Sequence, residues 1–249
     1  MKSRLNIFIL SLAFSAFMFT ACDKADETPD DNNNSNTSTF NYTDAFGVLV
    51  AVKSVSYTSV AGFEVPVEVN SASAFFPTDA GASSFADAGT VSIEGKNLSK
   101  LENNTYIYSN YVNPITLSEI QWSVTGNGSV PSFNKTVSRP LPTFSGYSSL
   151  PASVSKASGI SIPLGSALYA ADSVIVLITS SNDKVALKSF AGNAGSATFT
   201  AADLSALSTS NVGSISISPY NISTETISGK KYYFVNESSY LKMAVSITE

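Results

Sequence analysis

Few residues of this 249-residue chain are of types that carry out chemistry unaided, and histidine is absent altogether. A Ser-His-Asp triad and any histidine-ligated zinc or iron site therefore have nothing to build on. Two Ser-x-x-Lys segments remain, Ser153-Val154-Ser155-Lys156 and Ser181-Asn182-Asp183-Lys184. In the enzymes that use this motif it opens a helix and is joined by two further motifs, and neither setting is present here. A chain this rich in serine produces such matches by chance. Carboxylates are the other route. Glu64 and Glu68 would share one strand face, but at about 3.3 Å per residue they stand roughly 13 Å apart, beyond the about 5 to 9.5 Å of glycosidase pairs. Glu94, Glu119 and Asp172 are left as acids that different strands could bring together. Neither an Asp-x-Asp-x-Asp-Gly loop nor a glycine-rich phosphate loop occurs, so no metal and no cofactor are expected. The chain reads as a non-enzyme.

Side chains that bind rather than react are easier to find. Tyr106 and Tyr108 fall on one face of a short strand opposite Ile107, with Tyr111 just beyond. If Ile107 points inward, the two rings point out and, with Tyr111, offer a stacking platform for a glycan. If the phase is reversed, they are core. Trp122, in phase with Ile120 and Val124, belongs to the core, as tryptophans of β-sandwiches do. Asp172-Ser173-Val174 resembles the three-residue O-glycosylation signal of exported proteins of the Bacteroidota, with Ser173 as acceptor; the alternative is that Ser173 simply starts a strand.

The remaining reactive side chain is Cys22, the chain's one cysteine. Without a second, no internal disulfide forms and the fold rests on its core. Lys2 and Arg4 precede an apolar run from Leu5 to Met18, closing on Phe19-Thr20-Ala21-Cys22. A charged start, a short apolar stretch and a small residue before the cut make a secretion signal. The run falls short of the 20 or so residues a spanning helix needs. Its last four residues resemble the lipobox of bacterial lipoproteins, with Phe19 where the family usually has Leu. The resemblance implies cleavage after residue 21 and lipid attachment to Cys22. Asp23-Lys24-Ala25-Asp26-Glu27 is similar to the surface-export signal of Bacteroidota lipoproteins, although Ala25 separates the lysine from the acids. That implies an outer-membrane, outward-facing location; the alternative is a plain acidic spacer.

The elements that must position any site begin later. Residues 22–39 hold no large apolar side chain after Cys22 and read as a disordered tether. From Phe40 onward period-two alternation dominates. Phe63, Val65, Val67 and Val69 share one face, as do Ile120, Trp122 and Val124, Ile215 and Ile217, and Leu241, Met243, Val245 and Ile247. Val174 to Ile178 is apolar on both faces and is expected inside a sheet covered on both sides. Short strands between Gly, Pro, Asn and Ser clusters predict an all-β body of two Ig-like antiparallel β-sandwiches, 40–140 and 141–249, joined near Arg139 to Gly146, where two prolines and a glycine interrupt the pattern. A loose match at an offset of 106 relates Gly89, Val91, Ile93, Leu98, Ser99 and Leu101 to Gly195, Ala197, Phe199, Leu204, Ser205 and Leu207. Thr200 to Leu207 is predicted as one short helix capped by Thr200.

With 14 acids against 11 bases from Phe40 onward, the body is unsuited to nucleic acid. The functional expectation is a lipid-anchored, non-enzymatic module that binds a glycan or a protein. The alternative is a structural subunit of an outer-membrane complex, held through an exposed sheet edge or the joint.

Overall fold

The computed structural model describes residues 42–60, 63–80 and 82–249. The expected signal peptide, Cys22 and the tether lie outside these residues. The alternating β-branched and aromatic residues form strands, as their preference for a pleated, half-buried surface dictates. The all-β class is therefore observed. A nine-stranded sheet dominates, in the order β14 (Val185–Ala191), β13 (Ser173–Thr179), β16 (Ser210–Ile227), β17 (Lys230–Thr248), β1 (Gly47–Val60), β2 (Phe63–Phe75), β6 (Tyr106–Ser109) and β5 (Ser99–Lys100), with β10 (Ser153–Ser155) beside the end of β17. The predicted helix is present as α1 (Ala201–Leu204). Thr200 Oγ1 accepts from the Asp203 N–H, and the Asp203 carboxylate accepts from the Thr200 N–H, a reciprocal capping box.

Smaller layers cover one face of the big sheet, here called the inner face. Over its first part lies a four-stranded sheet, β4 (Lys96–Asn97), β3 (Val91–Ile93), β7 (Gln121–Val124) and β8 (Phe133–Thr136). Between them Trp122, Ile93, Leu49, Tyr106 and Phe234 are packed out of water. Over the second part lie the pair β11 (Ile160–Pro163) and β15 (Ser196–Phe199), the pair β9 (Thr143–Phe144) and β12 (Leu168–Tyr169), and α1. They enclose Val174, Val176, Ile178, Phe199, Leu204 and Ile217. The offset-106 relation holds in part: Val91, Ile93 and Leu98 pack one core from a covering layer and Ala197, Phe199 and Leu204 pack the other, whereas Leu101 is exposed and its counterpart Leu207 is buried.

The expected joint at residues 139–146 falls where one core gives way to the other. The two halves nevertheless share the sheet: β1 pairs in parallel with β17 from Gly47↔Tyr232 to Ser56↔Leu241. Tyr232 and Phe234 serve the first core while Val55 serves the second. The described residues belong to one compact unit, with no division at 140/141.

Three alternation readings change in the structure. In β17, Ala244 has φ 59° and forms a bulge, with Gly213 opposite Val245 and Ser214 opposite Met243. One extra residue inverts the side-chain phase. Tyr240, Val245 and Ile247 thus enter the inner core, while Met243 turns to the other face. Phe63, Val65 and Val67 share a face as expected, but that face is exposed, at 75%, 42% and 40%. Beyond Ser56 the hairpin β1–β2 extends past the strand pairing with β17, and among the described residues no further strand adjoins it there. Strand β13, expected to be covered on both faces, buries Val174, Val176 and Ile178 and leaves Ile175 and Leu177 half-buried.

Gly47 marks the tightest point of the junction. A Cβ there would lie 2.4 and 2.6 Å from ring carbons of the fully buried Tyr232. Gly47→Ala is expected to destabilise the chain by about 1–3 kcal/mol through overpacking, read as a lower urea midpoint with an unchanged slope.

Candidate functional site

The three tyrosines separate. Tyr106 is 1% exposed. Its hydroxyl accepts from the Ala88 N–H at 2.9 Å and donates to Asp87 Oδ1 at 2.9 Å, and its ring meets Phe76 edge-on at 5.9 Å. Burial pushes that hydroxyl up to about 12. Asp87 stays ionised well below the usual carboxylate range, through Lys100, the Gly89 N–H and Tyr106. Tyr108 leans on the same core and donates to the Asn113 carbonyl at 2.5 Å. Tyr111, 65% exposed, lies in the loop that follows. The phase is thus the inward one, and the predicted outward platform of three rings is not assembled. The reason is that β6 pairs with β2 at Ala74↔Tyr106, which puts Tyr106 on the face that carries Ala72 and Ala74 into the core.

Ser173 starts β13, is 3% exposed, and faces Ala191 and Tyr220 in the neighbouring strands. Asp172 beside it is held by Arg139, whose Nη1 and Nη2 donate to its two oxygens at 2.6 and 2.7 Å. The guanidinium keeps that carboxyl below its ordinary range. Glu94 accepts from the Thr116 N–H and hydroxyl at 2.9 and 3.0 Å, and Glu119 is exposed. Of the acids that could have met, Glu94 and Asp172 are thus separately engaged. Lys156 reaches Glu249 at 3.3 Å, and exposed Ser153 lies in β10. No group of three or more His, Cys, Asp or Glu side chains is placed to hold a metal among the described residues. Trp122 is fully buried, as expected.

What the structure assembles instead is the outer face of the nine-stranded sheet. Its registers align side chains in rows across six strands. One row runs Leu187, Leu177, Ser216, Leu241, Ser56, Val67; next to it Val185, Thr179, Ser214 and Met243 form a shorter row, and Thr58 pairs with Val65 in the hairpin beyond the end of the β1–β17 pairing. Val65, Val67, Val185, Leu187 and Met243 are exposed. Hydroxyls between them satisfy one another: Thr179 with Ser214 at 2.7 Å, Ser216 with Ser239 at 3.1 Å, and Ser218 with Ser239 at 3.0 Å. Across these rows and the two beyond, Glu237 is the sole charged residue. Burial pushes its carboxyl up to about 7, partly offset by its hydrogen bond with Ser218.

The face ends at an open edge. Strand β2 pairs with β6 from Ser71 to Ala74, and residues 63–70 have no strand on that side among the described residues. Pro66, which lacks an N–H, sits in this segment, as prolines of edge strands do. The edge and the apolar row arrive together, so the backbone groups of β2 lie beside Val65 and Val67. Such an arrangement accepts an added strand. The alternation of residues 63–69 indicated an apolar face, but one strand's pattern carries no information about the absence of a neighbour.

Comparison with known protein families, characterised proteins and solved structures finds no match to this chain.

Two expectations follow. Tyr106→Ala removes a buried ring and the acceptor of the Ala88 N–H, and should cost about 3–5 kcal/mol in denaturant unfolding, whereas Tyr111→Ala should stay within about 0.5 kcal/mol. For Glu237, the folded carboxyl takes up its proton near 7 and an unfolded glutamate near 4.3. The folded chain therefore binds more protons between those values, and the contribution of this group to stability falls as pH rises through that window. Urea midpoints at pH 5 and pH 8 should show Glu237→Gln stabilising the chain at pH 8 and flattening the dependence. The Asp172 carboxyl acts in the opposite direction at more acidic pH.

Proposed function

We propose that this chain is a lipid-anchored, non-enzymatic surface subunit that holds a protein partner by strand addition to the open edge of β2. The observation that carries the reading is the conjunction of an unpaired edge over residues 63–70 with exposed Phe63, Val65 and Val67. An extended segment laid on this edge would gain backbone hydrogen bonds, with specificity from its alternate side chains. Those facing Val65 and Val67 would be apolar. On the opposite side of β2, Glu68 pairs with Lys53 at 2.8 Å and stays half exposed, which favours polar or basic residues in the partner's other positions.

Supporting a protein over a glycan is the inward turn of Tyr106, which leaves Tyr111 without the rings that would complete a stacking platform. Anchoring rests on the sequence, through Cys22 and its lipobox resemblance. Two or more acyl chains on one residue suffice for stable attachment, at about 0.8 kcal/mol per buried methylene. The acidic flank Asp23 to Glu27 favours the outer face of an outer membrane as the location, with an outer-membrane or extracellular protein as the partner. In the same reading the enzyme-free character follows from the missing histidine and the separately engaged carboxylates.

A photo-cross-linking residue in place of Phe63, used on intact cells that make the protein, tests this. The expected result is a cross-link to one surface protein, lost in the double variant Val65→Lys, Val67→Lys, and release of the chain from the membrane fraction by Cys22→Ser. Cross-linking to a second copy alone would replace the reading with self-association. Glycan binding with no protein cross-link would return the sugar reading.

A further inference from the structure

Three buried side chains whose oxygens lack a hydrogen-bond partner lie on one patch of the inner face where the two cores divide. Asn221 on β16 and Asn236 on β17 are register partners, and Ser238 follows two residues along β17. Their exposures are 0%, 0% and 1%. Register partners on one face have Cβ atoms about 5 Å apart, and positions i and i+2 are roughly 7 Å apart along a strand. Asn221 Nδ2 donates to the carbonyls of Pro140 and Ala170 at 2.8 and 2.9 Å, and Asn236 Nδ2 donates to the carbonyl of Arg139 at 3.0 Å. These contacts settle the amide orientation, because a flipped amide would set oxygen against oxygen. The other ends of the same groups, Asn221 Oδ1 and Asn236 Oδ1, have no hydrogen-bond partner, and neither has Ser238 Oγ.

Three orphaned acceptors so close together identify what would sit among them. An anion is repelled by a lining of oxygens. A cation finds no carboxylate in the set, and Lys53, the register partner of Ser238, stands beside it. A small neutral molecule with two donors fits. The patch is polar, enclosed, and offers the two to four partners that an interior water takes. We propose that the seam between the two cores is a built hydration site, in which ordered water donates to Asn221 Oδ1 and Asn236 Oδ1 and bonds Ser238 Oγ. The water completes the hydrogen bonding by which the Arg139-Pro140 joint is fastened to the sheet.

Ser238→Ala in the full-length chain, purified in detergent, distinguishes a wet seam from a dry one by sign. A hydrated hydroxyl has a partner to lose, so the melting temperature should fall by about 2 to 4 °C. In a dry seam the hydroxyl is a buried orphan, and its removal would raise the melting temperature and overturn the proposal. A high-resolution crystal structure supplies the second measurement. Water within hydrogen-bonding distance of at least two of the three oxygens is expected. A dry patch, or protein donors facing Oδ1, would overturn the assignment.

Discussion

The parallel pairing of β1 with β17 is the contact on which the rest depends. It joins residues 47–56 to residues 232–241, nearly the whole body apart in sequence. Parallel strands cannot be connected by a tight turn. The chain between them must build the other strands of the same sheet and both covering layers before it returns to lie beside β1. The loop-closure entropy is therefore met before any of these hydrogen bonds forms, the topology that makes folding slow. Once made, the pairing gives both cores a common floor. Neither half of the chain closes its own sheet, because the first core needs Tyr232 and Phe234 and the second needs Val55.

A common floor creates a seam, and polar residues occupy it. Between Phe234, in one core, and Tyr240, in the other, β17 presents Asn236 and Ser238 to the inner face, with Asn221 alongside on β16. Their amide nitrogens grip the carbonyls of Arg139, Pro140 and Ala170. Arg139 in turn holds Asp172 with two hydrogen bonds and donates to the Ile222 carbonyl at 2.9 Å. A proline-containing joint has few backbone donors of its own. It is fixed here by side chains from the sheet and by the partly exposed Arg139–Asp172 ion pair, which tie its position to the register of the long strands.

The two faces of the sheet have different chemistry for a physical reason. The inner face is covered by short strands and must be apolar or hydrogen-bonded. The outer face alternates aliphatic and hydroxyl side chains, and the hydroxyls bond to each other rather than project as solvated charges. A sheet face so poor in charge, ending at an open edge, is suited to contact with another surface. The hairpin tip of β1 and β2, reaching past the β17 pairing, is the part of that face most open to a partner.

Local properties of the sequence determined a good deal. Alternation defined the all-β class, Trp122 announced itself as core by its phase with Ile120 and Val124, and Thr200 with Asp203 specified a capped helical turn, because each of these depends on residues a few positions apart. The two prolines near residue 140 marked where one core yields to the other. The lipobox resemblance around Cys22 is local too, and the address it implies belongs to the proposal. Period two says which residues share a face, however, and not which face meets the core. That choice depends on a neighbouring strand, so Tyr106 turned inward through pairing with Ala74, and Val65 and Val67 fell on the outer face through pairing with Thr58 and Ser56 of β1. One bulge at Ala244 inverted the end of β17, and one long-range parallel pairing merged two expected sandwiches over a single sheet. The open edge, the charge-poor outer face and the buried asparagine seam exist only because distant strands align in register, which is a property of the assembled sheet and of no single segment.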